Sequence, residues 1–246
     1  MTMKPLRTET ERRVGQNIER IFLESPESVE TKLENFTKYV RRQQLKRFIT
    51  MHELFKLVLP VKGSVIECGV YQGFGLMAWA KLSAMLEPEN LTRRIYGFDT
   101  FEGFPLVDAK DTNEFGTAQP GDLKADCYGE LLELIKEYDA DRFLGHIGKV
   151  ELIKGDIAQT LPAFIAQHQH LVVSLLFIDC DLYEPTRVTL EHVIPRMPKG
   201  AIVAFDELDN PIWPGETAAL IETIGLSRLN LRRFEWDPYI AYAVID

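Results

Sequence analysis

Short apolar runs alternate with segments of helical spacing along most of the chain. The segments between the runs carry apolar residues three or four positions apart, and the runs themselves fall at residues 64–70, 94–98, 150–153, 175–178 and 201–205. This alternation predicts strands and helices in turn, and the uninterrupted apolar run at residues 175–178 is typical of a strand buried on both faces. The pattern therefore predicts a mostly parallel sheet covered by helices.

Both ends of the chain depart from this alternation. Residues 231–236 and 239–245 are predicted as consecutive strands, and their tight connection requires an antiparallel pair. Residues 1–50 are strongly charged, with apolar residues at helical spacing. We therefore predict an α/β fold: an N-terminal helical cap at 1–50, then one domain at 51–246 with a doubly wound, mostly parallel seven-stranded sheet and an antiparallel C-terminal strand pair. The polar segment at about 104–128 lacks apolar periodicity and is predicted to be a lid.

Composition excludes several classes of partner. The formal net charge of -9 argues against nucleic acid and against an anionic membrane surface, since both need a basic face. The N-terminal string MTMKPLRTETERR has no apolar stretch, so we expect neither a signal peptide nor a membrane anchor. The three cysteines form no CxxC pair, which favours free thiols in a cytoplasmic protein.

Acidic residues follow the ends of two of the predicted strands. Asp179 and Asp181 come directly after one run, and Asp206 and Glu207 follow the next. Neighbouring parallel strands end at the same edge of a sheet, where ligands bind. Four carboxylates there repel one another unless a cation or shared protons relieve them, and oxygen ligands suit Mg²⁺. A single Asp after a strand is also a common turn former or helix cap, but two acids followed by a second pair favour function.

Glycines and acids around the first three strands indicate a cofactor site. The string ECGVYQGFG places Gly69 and Gly73 before a helix, where a backbone can approach a ligand and the first helical N–H groups lack partners. Tyr71 stands where the dinucleotide-binding fingerprint has its second glycine, which favours a ligand other than a diphosphate. Asp99 ends the second strand, and its carboxylate is suited to accept hydrogen bonds from both hydroxyls of an adenosine ribose. Asp156 follows the third strand and is either an acceptor for an adenine amino group or a helix cap.

Four strings, taken in order, resemble the macrocin O-methyltransferase family. They are GFDTFEGFP, GDIAQTLP, FIDCDLYEPT and WPGE, at residues 97–105, 155–162, 177–186 and 213–216. The predicted succession of five strand–helix units and an antiparallel C-terminal strand pair likewise resembles the class I S-adenosylmethionine-dependent methyltransferase fold. The resemblance covers roughly residues 41–246. It implies transfer of a methyl group from S-adenosylmethionine to a hydroxyl of a deoxysugar, with a divalent ion that is usually Mg²⁺.

The resemblance also implies a role for each matching residue. Asp181 matches the general base, and the residues that match the metal ligands are Asp179, Asp206 and Glu207. The family usually has a second Asp where this chain has Glu207. Within the same scheme Asp99 holds the ribose and Asp156 the adenine edge. The methionine end of the cofactor is held by Glu67, Gly69, Tyr71 and Gly73.

Other functions stay open from the sequence. A catechol-type O-methyltransferase also uses Mg²⁺ on carboxylates, but its usual Asn beside the acids is replaced here by Glu207. A nicotinamide-dependent oxidoreductase is disfavoured by Tyr71 and by the C-terminal strand pair. A non-catalytic partner protein is disfavoured by the acids at the strand ends, although a fold alone does not prove activity.

The expected partner is a small-molecule sugar, either linked to a nucleotide or part of a glycosylated natural product. A cluster of basic residues bears on this choice: Arg41, Arg42, Lys46 and Arg47. The cluster is either a solvated helix face or a site for an anionic group, and a diphosphate would favour the nucleotide sugar. The amphipathic N-terminal helices further predict a homo-oligomer.

Overall fold

The computed structural model describes residues 8–113 and 116–246 and divides the chain into two compact units. The first unit ends at Ile49, and the second extends from Thr50 to Asp246. The expectations about the N-terminal string, the cap and the lid fall partly on residues 1–7, 114 and 115, which lie outside the described residues. The capping role of the first unit and the lid role of residues 104–128 stay predictions.

Side-chain caps begin the first two helices of the first unit. Thr8 and Glu11 form a reciprocal capping box, in which each side chain accepts the backbone N–H of the other residue. Ser28 accepts the backbone N–H of Thr31 in the same way. Each bond satisfies an N–H group that has no partner inside the helix. The elements are α1, Glu9–Glu24; α2, Val29–Glu34; a 3-10 turn, Phe36–Lys38; and α3, Arg42–Val58, which continues into the second unit.

The second unit alternates strands with helices, as the apolar pattern predicts. Its strands are β1, Ser64–Cys68; β2, Ile95–Asp99; β3, Thr112–Asn113; β4, Gly116–Thr117; β5, Val150–Lys154; β6, Val173–Ile178; β7, Ile202–Phe205; β8, Arg232–Arg233; and β9, Ala241–Val244. Its further helices are α4, Phe74–Leu86; α5, Tyr128–Ala140; α6, Ile157–Gln167; α7, Tyr183–Val193; and α8, Pro214–Thr223. Across residues 8–113 and 116–246, no helix combines the length and the apolar character that crossing a bilayer requires.

Within the described chain these strands form a seven-stranded sheet of order β5-β2-β1-β6-β7-β9-β8, and β3 and β4 form a separate hairpin. The first five strands of that order are parallel, and β9 is antiparallel to both β7 and β8. The predicted doubly wound sheet with an antiparallel C-terminal pair is confirmed. The two C-terminal strands are shorter than predicted, above all β8, which has two residues.

Aromatic contacts illustrate how helices cover both faces of the sheet. Phe177 of β6 packs against Trp79 of α4 with ring centroids 5.6 Å apart, and Trp79 stacks on Phe55 of α3 at 6.4 Å. Phe98 of β2 packs against Phe164 of α6 at 5.3 Å. Phe98 is in register with the residue after Phe177, so side-chain alternation places the two rings on opposite faces.

The strand register aligns the carboxyl ends that matter for the site. Cys68 is the register partner of Phe98 and of Ile178, and Ile178 is the partner of Phe205. The next residue on each of these strands therefore lies at one edge of the sheet. These four residues are Gly69, Asp99, Asp179 and Asp206.

The polar segment after β2 is fastened to the surroundings of α8. It contains a 3-10 turn, Ala109–Asp111, and the β3–β4 hairpin. The Lys110 ammonium lies 2.6 Å from the Glu222 carboxylate of α8. The Asn113 amide donates to the backbone oxygen of Ile212, just before that helix, at 2.6 Å. The first half of the predicted lid is therefore held in place by side-chain contacts.

Candidate active site

A cleft lies at the carboxyl edge of the sheet, where β1, β2 and β6 end. Its empty space, including the part open to solvent, is about 540 Å³, which suits a small molecule. Six of the predicted site residues line it: Gly69, Tyr71, Asp99, Asp156, Asp179 and Asp181. The other four lie outside the lining formed by the described residues: Glu67, Gly73, Asp206 and Glu207.

Close backbone approaches fix the loop between β1 and α4. Gly69 has a φ of 95°, and a Cβ built on it would lie 1.9 Å from the backbone oxygen of Asp179. Gly73 has a φ of 85° and immediately precedes α4. Between them Tyr71 has a φ of 49°, a left-handed conformation that costs a residue with a side chain about 1 kcal/mol. The loop is therefore built around close contacts that place Tyr71 at the cleft.

Asp99 holds this loop through its carboxylate. Oδ2 accepts the backbone N–H groups of Val70 and Tyr71, each at 2.8 Å, and Oδ1 accepts that of Phe101 at 2.6 Å. A carboxylate has about four lone-pair positions, so within the described chain these bonds leave one for a ligand. The role of Asp99 as the acceptor of hydrogen bonds from the ribose hydroxyls stays a prediction.

Glu67 lies beneath the glycine loop rather than in the cleft. Its side chain is 1% exposed. It runs so close to Gly75 of α4 that a Cβ on residue 75 would lie 2.0 Å from its Oε1. Glu67 would therefore act on the methionine end of a cofactor through the glycine loop, not by direct contact.

Asp156 is a helix cap that also faces the cleft. Its Oδ1 accepts the backbone N–H of Ala158 at 3.0 Å, which caps α6, and its Oδ2 accepts from the Gln159 amide at 3.2 Å. The capping interpretation left open by the sequence is therefore observed. The residue also lines the cleft, so the adenine-binding interpretation stays a prediction.

The acid loop after β6 presents two carboxylates at the cleft. Asp179 continues the strand pairing, since its N–H donates to the Cys68 oxygen at 2.8 Å. Asp181 is 8% exposed and has a φ of 62°. Asp tolerates this left-handed conformation better than most residues, but it still needs support from the surrounding structure. Cys180 between them is buried, and its thiol lies 3.3 Å from the Cys68 oxygen. All three cysteines, which lie in the described part of the chain, are free.

The second acid pair, Asp206 and Glu207, is half-buried at the end of β7. The N–H of Asp206 donates to the Ile178 oxygen at 3.0 Å, which joins this loop to β6. The Glu207 carboxylate accepts a hydrogen bond from the Asn210 amide. Glu207 is thus oriented by its own turn.

Glu216 is a residue of this region that the sequence analysis left without a role. It is fully buried in the first turn of α8, and its Oε1 accepts the backbone N–H of Glu207 at 3.0 Å. Its Oε2 has no hydrogen-bond partner among the described residues. Burial raises the pKa of Glu216 well above its usual value, and the negative charges of Asp206, Asp179 and Asp181 raise it further. Its place in the WPGE string was the only sequence signal for it.

The donor chemistry of this edge fits a hard divalent cation, because the side chains that follow β6 and β7 are carboxylates. However, among residues 8–113 and 116–246 no three His, Cys, Asp or Glu side chains are grouped so that they could hold a metal ion. Binding a cation would require these side chains to turn towards a common point.

Comparison with protein families and curated proteins gives two matches. Residues 66–208 match the model of a family described as a methyltransferase domain. The chain is 29% identical over 169 residues to the 8-demethyl-8-(2,3-dimethoxy-alpha-L-rhamnosyl)-tetracenomycin-C 4'-O-methyltransferase of Streptomyces olivaceus. That alignment covers 66% of this chain and spans 60% of the length of the curated relative.

Comparison with solved structures extends the similarity to nearly the whole chain. The calicheamicin methyltransferase CalS11 superposes with a TM-score of 0.93 at 36% identity, over 97% of this chain and 93% of that one. The apo structure of CalS11, described as a TDP-rhamnose 3'-O-methyltransferase, gives 0.85 at 34% identity over 98% and 99%. The O-methyltransferase NovP gives 0.64 at 21% identity over 81% and 79%, a similarity of fold alone.

Proposed function

The chain belongs to the class I sugar O-methyltransferase family, and we propose on that basis that it transfers a methyl group from S-adenosylmethionine to a hydroxyl of a deoxysugar. The observation that carries the proposal is the pair of acids, Asp179 and Asp181, in a cleft beside a glycine loop. The near full-length similarity to a TDP-rhamnose 3'-O-methyltransferase supports a sugar as the acceptor.

The cofactor is proposed to occupy the part of the cleft between the glycine loop and α6. Gly69 and Tyr71 would face its methionine end, with Glu67 and Gly73 holding the loop from behind. Asp99 would accept one ribose hydroxyl through its remaining lone pair. Asp156 would face the adenine edge while it continues to cap α6.

Asp181 is proposed as the base that takes the proton of the acceptor. A sugar hydroxyl is a poor nucleophile at neutral pH, so a carboxylate beside it assists as the oxygen attacks. In this step the oxygen–methyl bond forms and the methyl–sulfur bond breaks. The electron pair of the broken bond neutralises the sulfonium, and the hydroxyl proton passes to Asp181. No covalent enzyme intermediate is needed, because the sulfonium already carries a good leaving group.

Asp179, Asp206 and Glu207 are proposed to hold a divalent cation, with Mg²⁺ as the expected ion. A cation at this edge would supply positive charge that stabilises the developing alkoxide. Asp179 and Asp206 follow neighbouring paired strands, which supports their joint role. To bind the ion, the Glu207 carboxylate would have to give up the hydrogen bond that it accepts from the Asn210 amide. The measurement that tests this independently of turnover is Mn²⁺ binding followed by electron paramagnetic resonance, in which Asp179→Asn and Asp206→Asn should each weaken binding.

The acceptor is proposed to be a nucleotide-linked deoxysugar, with a glycosylated natural product as the second candidate. The descriptions of the two relatives differ on this point, because one names TDP-rhamnose and the other names a rhamnosyl tetracenomycin. The basic residues 41–47 that would suit a diphosphate belong to the first unit, where the Arg41 guanidinium donates to the Glu11 backbone oxygen at 3.4 Å. A catechol acceptor remains the alternative within the same reaction class.

The proposal is tested by following S-adenosylhomocysteine formation by mass spectrometry with three acceptors: TDP-rhamnose, a rhamnosylated polyketide and a catechol. We expect turnover with a sugar acceptor, loss on chelation and recovery with Mg²⁺. Turnover with the catechol alone would replace the sugar assignment, and turnover that survives chelation would remove the cation from it.

Asp181→Asn is the variant that tests the base, and Asp209→Asn is its matched control. Asp209 is exposed and also has a left-handed φ, of 61°, so the same change of charge is made in the same backbone conformation. We expect kcat to fall by about 100-fold or more in Asp181→Asn, the usual contribution of general base catalysis. Equal kcat in both variants would contradict the assigned role.

A homo-oligomer and a cytoplasmic location stay part of the proposal. The N-terminal helices carry apolar side chains on a charged background, which supports association with another copy. Light scattering coupled to size-exclusion chromatography would measure the mass in solution. A mass of 28.2 kDa, that of a single chain, at micromolar concentration would contradict the oligomer.

A further inference from the structure

We propose that Asp111, in the polar segment after β2, is a positioning residue that holds the Asp181 loop in its working conformation. The proposal deepens the proposed function and rests on it, because the loop is of interest through the role proposed for Asp181.

The contact is a buried carboxylate at the start of a helix. Asp111 is 1% exposed, and its Oδ1 accepts the backbone N–H of Tyr183, the first residue of α7, at 2.7 Å. Its Oδ2 accepts the N–H of Asp108 at 2.8 Å, which closes the 3-10 turn of the segment. The residue at the capping position of α7, Leu182, makes no side-chain hydrogen bond. Asp111 therefore does from 72 positions away what a local Ser or Asp cap usually does.

Gly215 makes this close approach possible. A Cβ built on residue 215 would lie 1.9 Å from Asp111 Oδ1 and 2.5 Å from the Tyr183 nitrogen. Any side chain there would enter the hydrogen bond itself. The glycine of the WPGE string is thus explained by the contact between Asp111 and Tyr183.

The fixed N–H lies two residues after Asp181. Leu182, between them, donates its N–H to the Cys180 oxygen at 2.7 Å, so the loop turns tightly before α7 begins. Asp181 has a φ of 62°, and a left-handed Asp persists where neighbouring contacts determine the backbone on both sides. The strand pairing of Asp179 determines one side, and the bond from Tyr183 to Asp111 determines the other.

The Tyr183 side chain is tied to the same segment. Its hydroxyl donates to Glu222 Oε2 at 2.7 Å, and the Lys110 ammonium lies 3.9 Å from the centre of its ring. Both ends of Tyr183 therefore depend on residues of the polar segment or on their direct partners. Movement of this segment would be transmitted to the backbone that carries Asp181.

Hydrogen–deuterium exchange tests the proposal without requiring turnover. In Asp111→Ala, we expect faster exchange in the peptide covering residues 179–186 and unchanged exchange in β1. With an active acceptor, kcat should fall by about tenfold or more, since small misplacement of a catalytic group has effects of this size. The Kd for S-adenosylhomocysteine should stay within about twofold of wild type, because Asp111 is not part of the cleft lining.

Two further variants make the test specific. Asp111→Asn keeps an oxygen that can accept from Tyr183, so its exchange rate and kcat should lie between those of wild type and Asp111→Ala. Asp122→Asn is the matched control, because this exposed carboxylate of the same segment accepts, among the residues that the structure describes, only a local N–H, that of Gln119 at 2.8 Å. It should leave exchange and kcat unchanged.

Unchanged exchange at residues 179–186 in Asp111→Ala would overturn the proposal. So would an even rise of exchange across the sheet, with kcat and cofactor affinity falling together, since that describes a general loss of structure. If Asp111→Ala does not fold, Asp111→Asn decides: its peptide must exchange faster than that of Asp122→Asn, and equal rates overturn the proposal. If none of the acceptors is methylated by the wild type, the proposed function fails, while the exchange result still decides the positioning role.

Discussion

Replacement of Asp99 by Asn probes how the end of β2 holds the glycine loop. The carboxylate accepts the N–H groups of Val70 and Tyr71 on one oxygen and that of Phe101 on the other. Asn offers one oxygen and one NH₂ group. In either orientation, at least one backbone N–H then faces another donor instead of an acceptor.

The magnitude follows from the number of bonds lost. A hydrogen bond to a charged group contributes about 1.5 kcal/mol or more. Asn loses least when its oxygen takes the position of Oδ2, which keeps the bonds from Val70 and Tyr71. We therefore expect a loss of about 1.5 kcal/mol, or about tenfold in cofactor Kd where the loop is ordered mainly by binding. Asp99→Ala removes all three acceptor contacts and should cost about 4.5 kcal/mol, shared between folding stability and cofactor binding.

Isothermal titration calorimetry with S-adenosylhomocysteine measures the binding part, and urea unfolding measures the stability part. Asp126→Asn is the control, because Asp126 is an exposed carboxylate and its replacement should change neither quantity. An Asp99→Ala protein with wild-type unfolding free energy and a Kd within about twofold of wild type would refute the reasoning. That result would mean that water replaces the carboxylate without loss of stability or of cofactor affinity.

Two further predictions concern stability. Gly69→Ala should destabilise the fold by about 2 kcal/mol or more in urea unfolding, because the new Cβ meets the backbone of Asp179. Gly129→Ala, in a helix with no atom within 4 Å of the new Cβ, should instead stabilise it by about 0.5 kcal/mol, and equal effects would contradict the steric argument. Burial lowers the pKa of Lys149 to about 8. The unfolded chain therefore binds more protons between about pH 8 and 10.4, and the unfolding free energy should rise with pH there by up to about 3 kcal/mol relative to Lys149→Met. Lys62 is exposed, so the control Lys62→Met should keep the wild-type pH dependence. A wild-type pH dependence in Lys149→Met would contradict the prediction.

The sheet could be predicted from the sequence because its three central strands are buried along their whole length. β1, β6 and β7 are buried at every position, so an apolar run was a sufficient signal for each. Because neighbouring parallel strands end at the same edge, the residues that follow their ends could be expected to lie in one row. This is why six of the ten predicted site residues line one cleft.

The length of β8, predicted as residues 231–236, was overestimated for a reason that local sequence does not reveal. After Arg232–Arg233 the chain turns, and the N–H of Asp237 donates back to the Phe234 oxygen at 3.1 Å. Asp237 is buried and accepts the Thr50 hydroxyl at 2.8 Å, while the Trp236 indole N–H donates to the same hydroxyl at 3.2 Å. Trp236 and Asp237 thus join this turn to Thr50 of α3.

The roles of single acids were harder to predict, because their partners are backbone groups far along the chain. Asp99 has the expected position, but its carboxylate is largely engaged by the loop after β1. Asp111 lies in a segment that looked structureless, yet it caps α7. Such bonds depend on loop geometry, which residue spacing does not encode.

The acid-rich edge poses a choice that the sequence left open, between a cation and shared protons as the means of relieving repulsion. Burial raises the pKa of Glu216, and the negative charges of Asp206, Asp179 and Asp181 raise it further, which is the direction that favours a shared proton at this edge. Its Oε1 accepts the N–H of Glu207, so Glu216 also holds the loop after β7. A cation proposed for this edge would therefore have to balance Asp179, Asp206 and Glu207, while Glu216 supports them from within the protein.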